Sequence, residues 1–437
     1  MKKKIVGILV CMLLISTAFP VIGNTNEETN LEEQPIINPN IGPNIIDLIN
    51  QVNEDMLFYY LEKFVSFGSK RAGSANADKA ANWIKSEFEE VGLYTYLDNW
   101  KLPLCQDKNV VALHNGTDLT SDATILISAH YDTTKGSSGA IDDGTGIALM
   151  LAIANVTKDS SFNHTIRFIA TAAEERGTRG SFADAKKAYE NDENIIAVLN
   201  VDCVGFDNSS KNKNIVCIGT PSRAYWLVEF VKDISIKYKP QFDIIPQFGG
   251  YNVADHESYN DYGYDVIGFA QTKLEELMDV INSPDDTIDN VNFTYLKKVT
   301  KLVLAVACEL AIKPIDVQVR IISPMEGCIY IKDKPIKIGY FNLVFSRVRA
   351  VTYIIGRTTV KLNITTKEEI NSVYFYLDEY VRHACNEEPY KYKIGKGEFR
   401  GYYHFTMKGY HKLTVRVLTN TGKVATDEMD IYIVTNI

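Results

Sequence analysis

Five short motifs of acidic, histidine or amide residues are the part of this 437-residue chain best suited to chemistry. They are His130-Tyr-Asp132, Asp142-Asp143-Gly-Thr-Gly146, Glu174-Glu175, Asp202 and Asn282-Ser-Pro-Asp-Asp-Thr287. Each stands where an apolar, strand-like run stops. Open α/β sheets bind their ligands at the carboxyl ends of strands, where residues distant in sequence converge. We therefore expect these motifs to form one site.

Three apolar runs predict the strands that lead into this site. The runs are Thr124–Ala129, Thr165–Thr171 and Ile195–Val201, and they lead into His130, Glu174 and Asp202 respectively. Continuous apolar runs of this length are typical of parallel strands that are buried on both faces. With helical patterns between them, the runs predict an α/β fold with a mixed, largely parallel sheet flanked by helices.

The residue types in the motifs favour a hydrolytic metal centre. Imidazole and carboxylate are the ligands that zinc accepts in catalytic sites, and the cysteines do not form a closed structural cage. A carboxylate between two cations can bridge them, and we assign that role to Asp142. Neighbouring glutamates point in different directions, so we assign Glu175 to the metal and Glu174 to the proton, as general base.

Asp132 is expected to support the site from its position two residues after His130. Its carboxylate would hydrogen-bond the far ring nitrogen of His130 and so fix the tautomer of a ligating imidazole. Taken singly, each motif is typical of a solvated loop, a turn or a helix cap. The order, spacing and strand-end positions of all the motifs together favour the metal site.

Three further segments carry a resemblance to a known family. They are Arg71-Ala-Gly-Ser74 before a predicted helix Ala75–Val91, Gly177-Thr-Arg-Gly-Ser181, and Ala254-Asp255-His256. With the acidic motifs they make about residues 55–312 resemble the leucyl-aminopeptidase-like family of co-catalytic zinc exopeptidases. Relatives of that family include glutamate carboxypeptidase, glutaminyl cyclase and the non-enzymatic transferrin receptor.

The resemblance implies a fold, a ligand set and a reaction. One zinc ion would be held by His130, Asp202 and Asp142, and a second by Asp142, Glu175 and a final histidine. Glu174 would be the base that deprotonates the metal-activated water and returns the proton. The implied activity is removal of N-terminal residues from peptides.

The final histidine of the family pattern is absent from this chain. The family segment reads Tyr-His-Thr-Pro-x-Asp-Thr, whereas this chain has Ile281 and Asn282 in the first two positions. An amide oxygen is a weaker and harder ligand than imidazole, so the second site should bind zinc less tightly or favour another divalent ion. Three alternatives remain open for the second metal position. Asn282 coordinates the ion, another residue such as His256 replaces the missing histidine as ligand, or only the first ion is firmly bound. His256 matches a family motif that supports the site from behind, and glutaminyl cyclase activity is disfavoured.

The N-terminal region predicts export. Residues 1–23 have the charged, apolar and small-residue segments of a secretory signal, and an uncleaved anchor is disfavoured because the apolar run is short. Residues 24–45 are polar and predict a linker or a pro-segment. We expect a secreted, extracellular or cell-surface protein with no stable membrane insertion after signal cleavage.

The pattern changes near Pro314, which divides the chain into an exopeptidase domain at 46–313 and a second domain at 314–437. A helical pattern from Tyr295 to Leu310 closes the first domain. Short alternating runs follow, and they predict an all-β, immunoglobulin-like sandwich. The runs are Val317–Ile322, Val360–Ile364, Ser372–Leu377 and Leu413–Leu418. Contact with the cell envelope or with glycans, and a Cys328–Cys385 disulfide, are open alternatives for this domain.

The net charge of −9 disfavours nucleic acid as a partner, and the family resemblance implies peptide substrates. Two other functions remain open. A peptidase-fold binding or surface protein without activity would explain the lost histidine, but it has no reason to keep base and bridge together. A carboxypeptidase acting on acidic peptides is the other alternative.

Overall fold

The chain is described here by a computed structural model that covers residues 42–437 with gaps. The gaps are 104, 120, 192, 207–213, 221–223, 250–253, 272–276, 314–316, 326–327, 337–350, 367, 379, 388, 395–407, 421–422 and 436–437. The predicted secretory signal, and all but the last four residues of the predicted linker, lie outside the described residues.

Eight α-helices occur in the described part of the chain. They are α1 (Ile45–Gln51), α2 (Glu54–Val65), α3 (Ala75–Glu90), α4 (Thr145–Thr157), α5 (Arg179–Glu190), α6 (Tyr225–Lys237), α7 (Asp255–Asn260) and α8 (Phe293–Ile312). The helices predicted at 75–91 and 295–310 are confirmed as α3 and α8. Ser74 begins α3 as its N-cap, because its hydroxyl accepts the N–H of Ala77 at 3.2 Å.

An eight-stranded mixed sheet forms the centre of the first part of the chain. Its strands are β1 (Tyr94–Leu102), β2 (Cys105–His114), β3 (Thr124–His130), β4 (Thr165–Thr171), β5 (Ile195–Val201), β6 (Ile215–Gly219), β7 (Ile245–Phe248) and β8 (Val266–Ala270). Their order is β1-β2-β4-β3-β5-β8-β6-β7, and the central group β4-β3-β5-β8 is parallel. The three predicted parallel strands are therefore confirmed as neighbours β4, β3 and β5.

Burial explains why these three strands are apolar along their whole length. Every residue of β5 is buried, as are six of the seven residues in β3 and in β4. Strands in the middle of a sheet covered by helices have no solvent face, so they lack polar alternation. The helical segment Ala140–Thr157, which contains α4, is long and apolar enough to cross a membrane, yet 94% of it is buried inside the protein. It is a core helix of this fold.

The C-terminal part is all-β in its described residues and forms two sheets. Its strands are β9 (Gln318–Ser323), β10 (Ile329–Ile331), β11 (Lys334–Ile336), β12 (Thr352–Ile355), β13 (Thr358–Thr365), β14 (Ile370–Leu377), β15 (Tyr380–Cys385), β16 (Lys391–Ile394), β17 (Gly409–Thr419) and β18 (Val424–Thr435). One sheet has the order β11-β10-β12-β18-β17-β14-β15, and the other β16-β13-β9. The four predicted strands are confirmed as parts of β9, β13, β14 and β17. The arrangement agrees with a β-sandwich, and the immunoglobulin-like label stays a prediction.

The disulfide considered between Cys328 and Cys385 is not formed, because both residues are free thiols. Cys328 packs against the apolar cluster that contains Tyr262, beside the eight-stranded sheet. Cys385 ends β15, and its sulfur faces the main-chain oxygen of Lys391 at 3.8 Å. The two residues thus belong to different apolar clusters, which keeps their sulfur atoms apart.

Residue Arg320 of β9 connects the C-terminal sheets to the first sheet. Its guanidinium donates to the main-chain oxygen of Ile195 at 2.9 Å and lies 5.3 Å from the ring centre of Tyr264. Ile195 is the first residue of β5, so this contact lies at the amino end of the central strands. Met325 is 2% exposed and belongs to the apolar cluster that contains Tyr262, so the contact is partly apolar.

Candidate metal centre at the carboxyl end of the sheet

The candidate site lies where β3, β4 and β5 end. His130 is the last residue of β3, Glu174 follows β4 after two alanines, and Asp202 directly follows β5. Because these strands are parallel neighbours, their carboxyl ends share one edge of the sheet. The fold therefore brings these distant segments together at one edge of the sheet, as the sequence predicted.

Three of the predicted ligands lie together at this edge: His130, Asp142 and Asp202. The imidazole Nε2 of His130 lies 2.9 Å from Oδ1 of Asp142 and 3.8 Å from Oδ1 of Asp202. One ligand atom from each residue lies within 4.8 Å of the others. The His130 side chain is 1% exposed and that of Asp202 is 18% exposed, so the group is largely shielded but open on the Asp202 side.

The support of the His130 ring differs from the prediction. We expected the Asp132 carboxylate to bind the far ring nitrogen, but Nδ1 faces the main-chain oxygen of Asp132 at 3.0 Å, and that carboxylate is 3.7 Å away. A carbonyl oxygen only accepts, so Nδ1 carries a proton, while Nε2 faces the Asp142 carboxylate, where a bound cation would take the place of a proton. The Asp132 carboxylate instead accepts the N–H of Glu174 at 2.9 Å, because the loop after β3 turns it towards the end of β4.

Asp143 is a structural residue of the site to which the sequence assigned no ligand or support role. Its buried carboxylate accepts the main-chain N–H groups of His130 at 3.2 Å, Gly146 at 3.1 Å and Cys203 at 3.3 Å. It therefore ties together the ends of β3 and β5 and the start of α4. Gly146 is required here, since a Cβ atom on it would lie 2.4 Å from Asp143 Oδ2.

Asp286 is a second residue whose role the sequence did not reveal. Its carboxylate accepts the N–H of Ile141 at 2.7 Å and that of Asp142 at 3.3 Å. It also accepts from the Ser137 hydroxyl at 3.3 Å. Burial raises its pKa to about 6, although the hydrogen bond from Ile141 opposes the rise. Asp286 thus holds the loop that carries Asp142. In the sequence, the only sign of this role is that Asp286 lies in the run Pro-Asp-Asp-Thr.

Lys70 is fully buried on the other side of that loop. Its ammonium donates to the main-chain oxygens of Gly68 at 2.9 Å and Ser138 at 2.6 Å, and it lies 4.0 Å from the ring centre of Phe64. Burial lowers its pKa to about 7, with the negative charge of Asp286 acting in the opposite direction. The loop that leads to Asp142 is thus held from both sides.

Glu174 and Glu175 begin a single 3₁₀ turn that follows β4, and both are half-buried. Burial raises the pKa of Glu175 to about 8, and the Asp142 carboxylate adds to the rise. Burial also raises the pKa of Glu174 well above its usual value, with the nearby His130 opposing it. Among the described residues no donor reaches Glu175 Oε1, which is buried. Glu175 does not belong to the three-residue group, although Asp142 is its leading charged neighbour.

Asn282 occupies the position of the missing histidine and contacts the predicted bridge. Its side-chain Nδ2 donates to Asp142 Oδ2 at 3.2 Å. His256 is elsewhere: its Nδ1 lies 3.2 Å from Nδ2 of Asn200. A Cβ atom on Gly268 of β8 would lie 2.8 Å from its ring. This is the supporting position, packed against the sheet, that the sequence led us to expect for His256.

The charges around the three-residue group suit a divalent cation. Seven carboxylates lie around the His130 imidazole at this edge: Asp132, Asp142, Asp143, Glu174, Glu175, Asp202 and Asp255. Burial would lower the pKa of His130, but the carboxylates of Asp132, Asp142 and Asp202 raise it well above its usual value. Buried negative charge of this density is what a bound metal neutralises. The residues therefore fit a zinc ion.

Comparisons with known proteins show which family the chain resembles. Residues 109–307 match the sequence profile of peptidase family M28. A probable leucine aminopeptidase of Arthroderma otae is 26% identical over 284 residues, which are 61% of this chain and 75% of that protein. The structure of LapB from Legionella pneumophila is 25% identical, with a TM-score of 0.56, and the match covers 62% of this chain and 75% of that one.

A third relative agrees in fold alone. BSAP, a zinc aminopeptidase from Bacillus subtilis, is 17% identical with a TM-score of 0.52, and the match covers 59% of this chain and 95% of that one. The family match spans the segments that carry His130, Asp142, Glu174, Glu175 and Asp202. It confirms the resemblance drawn from the sequence motifs. The α/β part of the chain is thus similar to peptidase family M28 over residues 109–307.

Proposed function

We propose that this chain is a secreted, zinc-dependent aminopeptidase that hydrolyses N-terminal residues of peptides. The observation that carries the proposal is the meeting of His130, Asp142 and Asp202 at one sheet edge, beside the Glu174-Glu175 turn. The names of the relatives support it, since the Arthroderma protein is called a probable leucine aminopeptidase and BSAP is called a zinc aminopeptidase.

His130, Asp142 and Asp202 would hold the zinc ion, with Glu175 next to Asp142. The proton on Nδ1 of His130, held by the Asp132 carbonyl, keeps Nε2 directed at the other two ligands. When bound, zinc polarises the carbonyl of the scissile bond and makes a water molecule more acidic. Burial excludes bulk water, which strengthens every charge interaction at this edge.

Glu174 is the residue that moves the proton. Its main-chain N–H is held by Asp132 Oδ1 at 2.9 Å, so the turn that carries its carboxylate is fixed relative to His130. The carboxylate would accept a proton from the attacking water and pass it to the nitrogen of the leaving amine. Carboxylates that bind no metal would attract the ammonium of the peptide N-terminus.

The substitution Glu174→Gln tests the assignment. It removes the proton acceptor but keeps the size of the side chain, so turnover of an aminoacyl-anilide should fall about 10²–10⁴-fold. Zinc content, measured by plasma mass spectrometry, should not change. Glu190→Gln makes the same chemical change at an exposed position on α5 and should keep full activity. Equal activity of Glu174→Gln and the wild-type protein would refute Glu174 as the base.

Two other functions would give different results in the same assays. A binding protein without activity is favoured by the presence of Asn282 where the family has a histidine. Such a protein would show no turnover with zinc, cobalt or manganese. A carboxypeptidase would cleave N-blocked peptides and leave anilides intact. The aminopeptidase proposal requires the opposite pattern, with anilides cleaved and N-blocked peptides resistant.

Export is the remaining part of the proposal, and it rests on residues 1–23. Expression of the full chain in a secreting host should release a protein whose new N-terminus lies close to residue 24. A product that keeps Met1 and stays with the membrane fraction would contradict this. In the exported protein, the all-β sheets would lie at the cell surface, in contact with envelope components or glycans.

A further inference from the structure

The two oxygens of Asp142 have different partners in this chain. Oδ1 lies 2.9 Å from His130 Nε2, on the side where Asp202 completes the three-residue group. Oδ2 accepts a hydrogen bond from Asn282 Nδ2 at 3.2 Å. A carboxylate that bridges two cations needs one oxygen directed at each of them. In Asp142 the second oxygen is directed at an amide N–H instead.

The backbone around Asn282 forms a turn that is held by hydrogen bonds of neighbouring residues. Asn282 has a φ of +59°, in the left-handed region that non-glycine residues rarely adopt. The following residue, Ser283, donates from its hydroxyl to Val280 O at 2.6 Å and accepts the N–H of Asp285 at 3.1 Å. Asp286, which follows in the same segment, accepts the N–H of Asp142 and so holds the loop that carries it. The turn and the loop are therefore positioned together, with the amide directed at Asp142.

The donor set for a second zinc ion is consequently poor. It would consist of Glu175, the engaged oxygen of Asp142 and the neutral amide of Asn282. Zinc prefers imidazole, thiolate and carboxylate ligands, and an amide oxygen competes weakly with them. The first zinc position does not depend on an amide ligand, because ligand atoms of an imidazole and two carboxylates already lie within 4.8 Å of one another there.

We infer that the chain binds one zinc ion tightly, at His130, Asp142 and Asp202, and that Asn282 is a positioning residue that orients Asp142 in place of a second zinc. The inference rests on the proposed metallopeptidase function. It makes Asn282 a determinant of metal number: an imidazole at this position would supply the ligand that a second ion lacks.

Metal binding by the purified apo-protein tests this inference directly. Calorimetric titration with zinc, with metal content measured after gel filtration, should give one tightly bound ion per wild-type chain. Asn282→His should bind two. Asn82→His makes the same change at an exposed position on α3 and should still bind one. Circular dichroism of each variant shows that it is folded.

The outcomes separate this inference from the proposed function. Two tightly bound ions in the wild-type chain would overturn the single-zinc inference and leave the peptidase proposal standing. No bound ion in the wild type would overturn both. A folded Asn282→His variant that binds only one ion would overturn the role of Asn282 in setting the metal number.

A second variant tests the positioning role without adding a ligand. Asn282→Ala removes the N–H that orients Asp142, so zinc affinity should fall about 10-fold, as is usual when a residue supporting a metal ligand is lost. The number of tightly bound ions should stay at one. An affinity within twofold of the wild type would refute the positioning role.

Discussion

Replacing Lys70 with methionine should remove a pH dependence from the stability of the α/β part of the protein. The Lys70 ammonium is fully buried, and its pKa is lowered to about 7, from 10.5, by that burial. Between these two values the unfolded chain binds the proton more tightly than the folded chain does. Folded stability therefore rises with pH through this interval, because the cost of holding the buried charge disappears.

The size of the effect follows from the two pKa values. With about 7 in the folded state and 10.5 in the unfolded state, the charge costs about 4 kcal/mol at pH 7 and about 2 kcal/mol at pH 9. The free energy of unfolding of the wild type should thus gain about 2 kcal/mol relative to Lys70→Met over this range. Glu175 also titrates there, but it is present in both proteins and cancels in the difference.

Urea unfolding of metal-free protein at pH 7, 8 and 9 measures this difference. The three tryptophans, Trp83, Trp100 and Trp226, all lie in the α/β part, so their fluorescence follows that region. Lys79→Met, at an exposed position on α3, should run parallel to the wild type. If Lys70→Met also runs parallel to the wild type across the range, the argument from the buried ammonium is wrong.

Three further substitutions test the supports of the fold and the site. Asp184→Ala should cost about 3 kcal/mol in urea unfolding, because it removes the buried one of the two carboxylates that the Arg167 guanidinium contacts and leaves only the more exposed Glu193; a loss below about 1 kcal/mol would contradict this. Gly146→Ala puts a Cβ atom 2.4 Å from Asp143, so zinc affinity should fall about 10–100-fold in calorimetry, and an unchanged affinity would refute the clash. Asp286→Ala removes the carboxylate that holds the loop of Asp142, so zinc affinity should fall by a similar factor. An unaltered zinc affinity would disprove this.

The strands that carry the site could be predicted because they are uniformly apolar. Buried parallel strands leave no polar face, so β3, β4 and β5 stand out in the sequence, and the motifs that follow them mark one sheet edge. Strands at the sides of the sheet, such as β1 and β7, are partly exposed and carry mixed residues. Their pattern is too weak to be separated from that of loops.

The supporting residues could not be predicted, because their roles depend on main-chain geometry. Asp143 and Asp286 act by accepting N–H groups from distant segments, and any aspartate in a loop has the same appearance in the sequence. Lys70 was missed because a lysine next to an arginine is normally solvated. The Asp132 carboxylate lies 3.7 Å from the far ring nitrogen of His130, farther than predicted, because the main-chain oxygen of Asp132 takes the closer position.

The position of Arg320 has a consequence for how the C-terminal sheets and the candidate site are arranged along β5. It holds the first residue of β5, and the seven residues of that strand place Asp202 about 20 Å away, at the opposite end. Among the described residues, the contact of Arg320 with β5 thus lies at the end of the strand opposite Asp202. In the proposed aminopeptidase, this described contact of the C-terminal sheets and the reaction at Glu174 would therefore use opposite ends of the central strands.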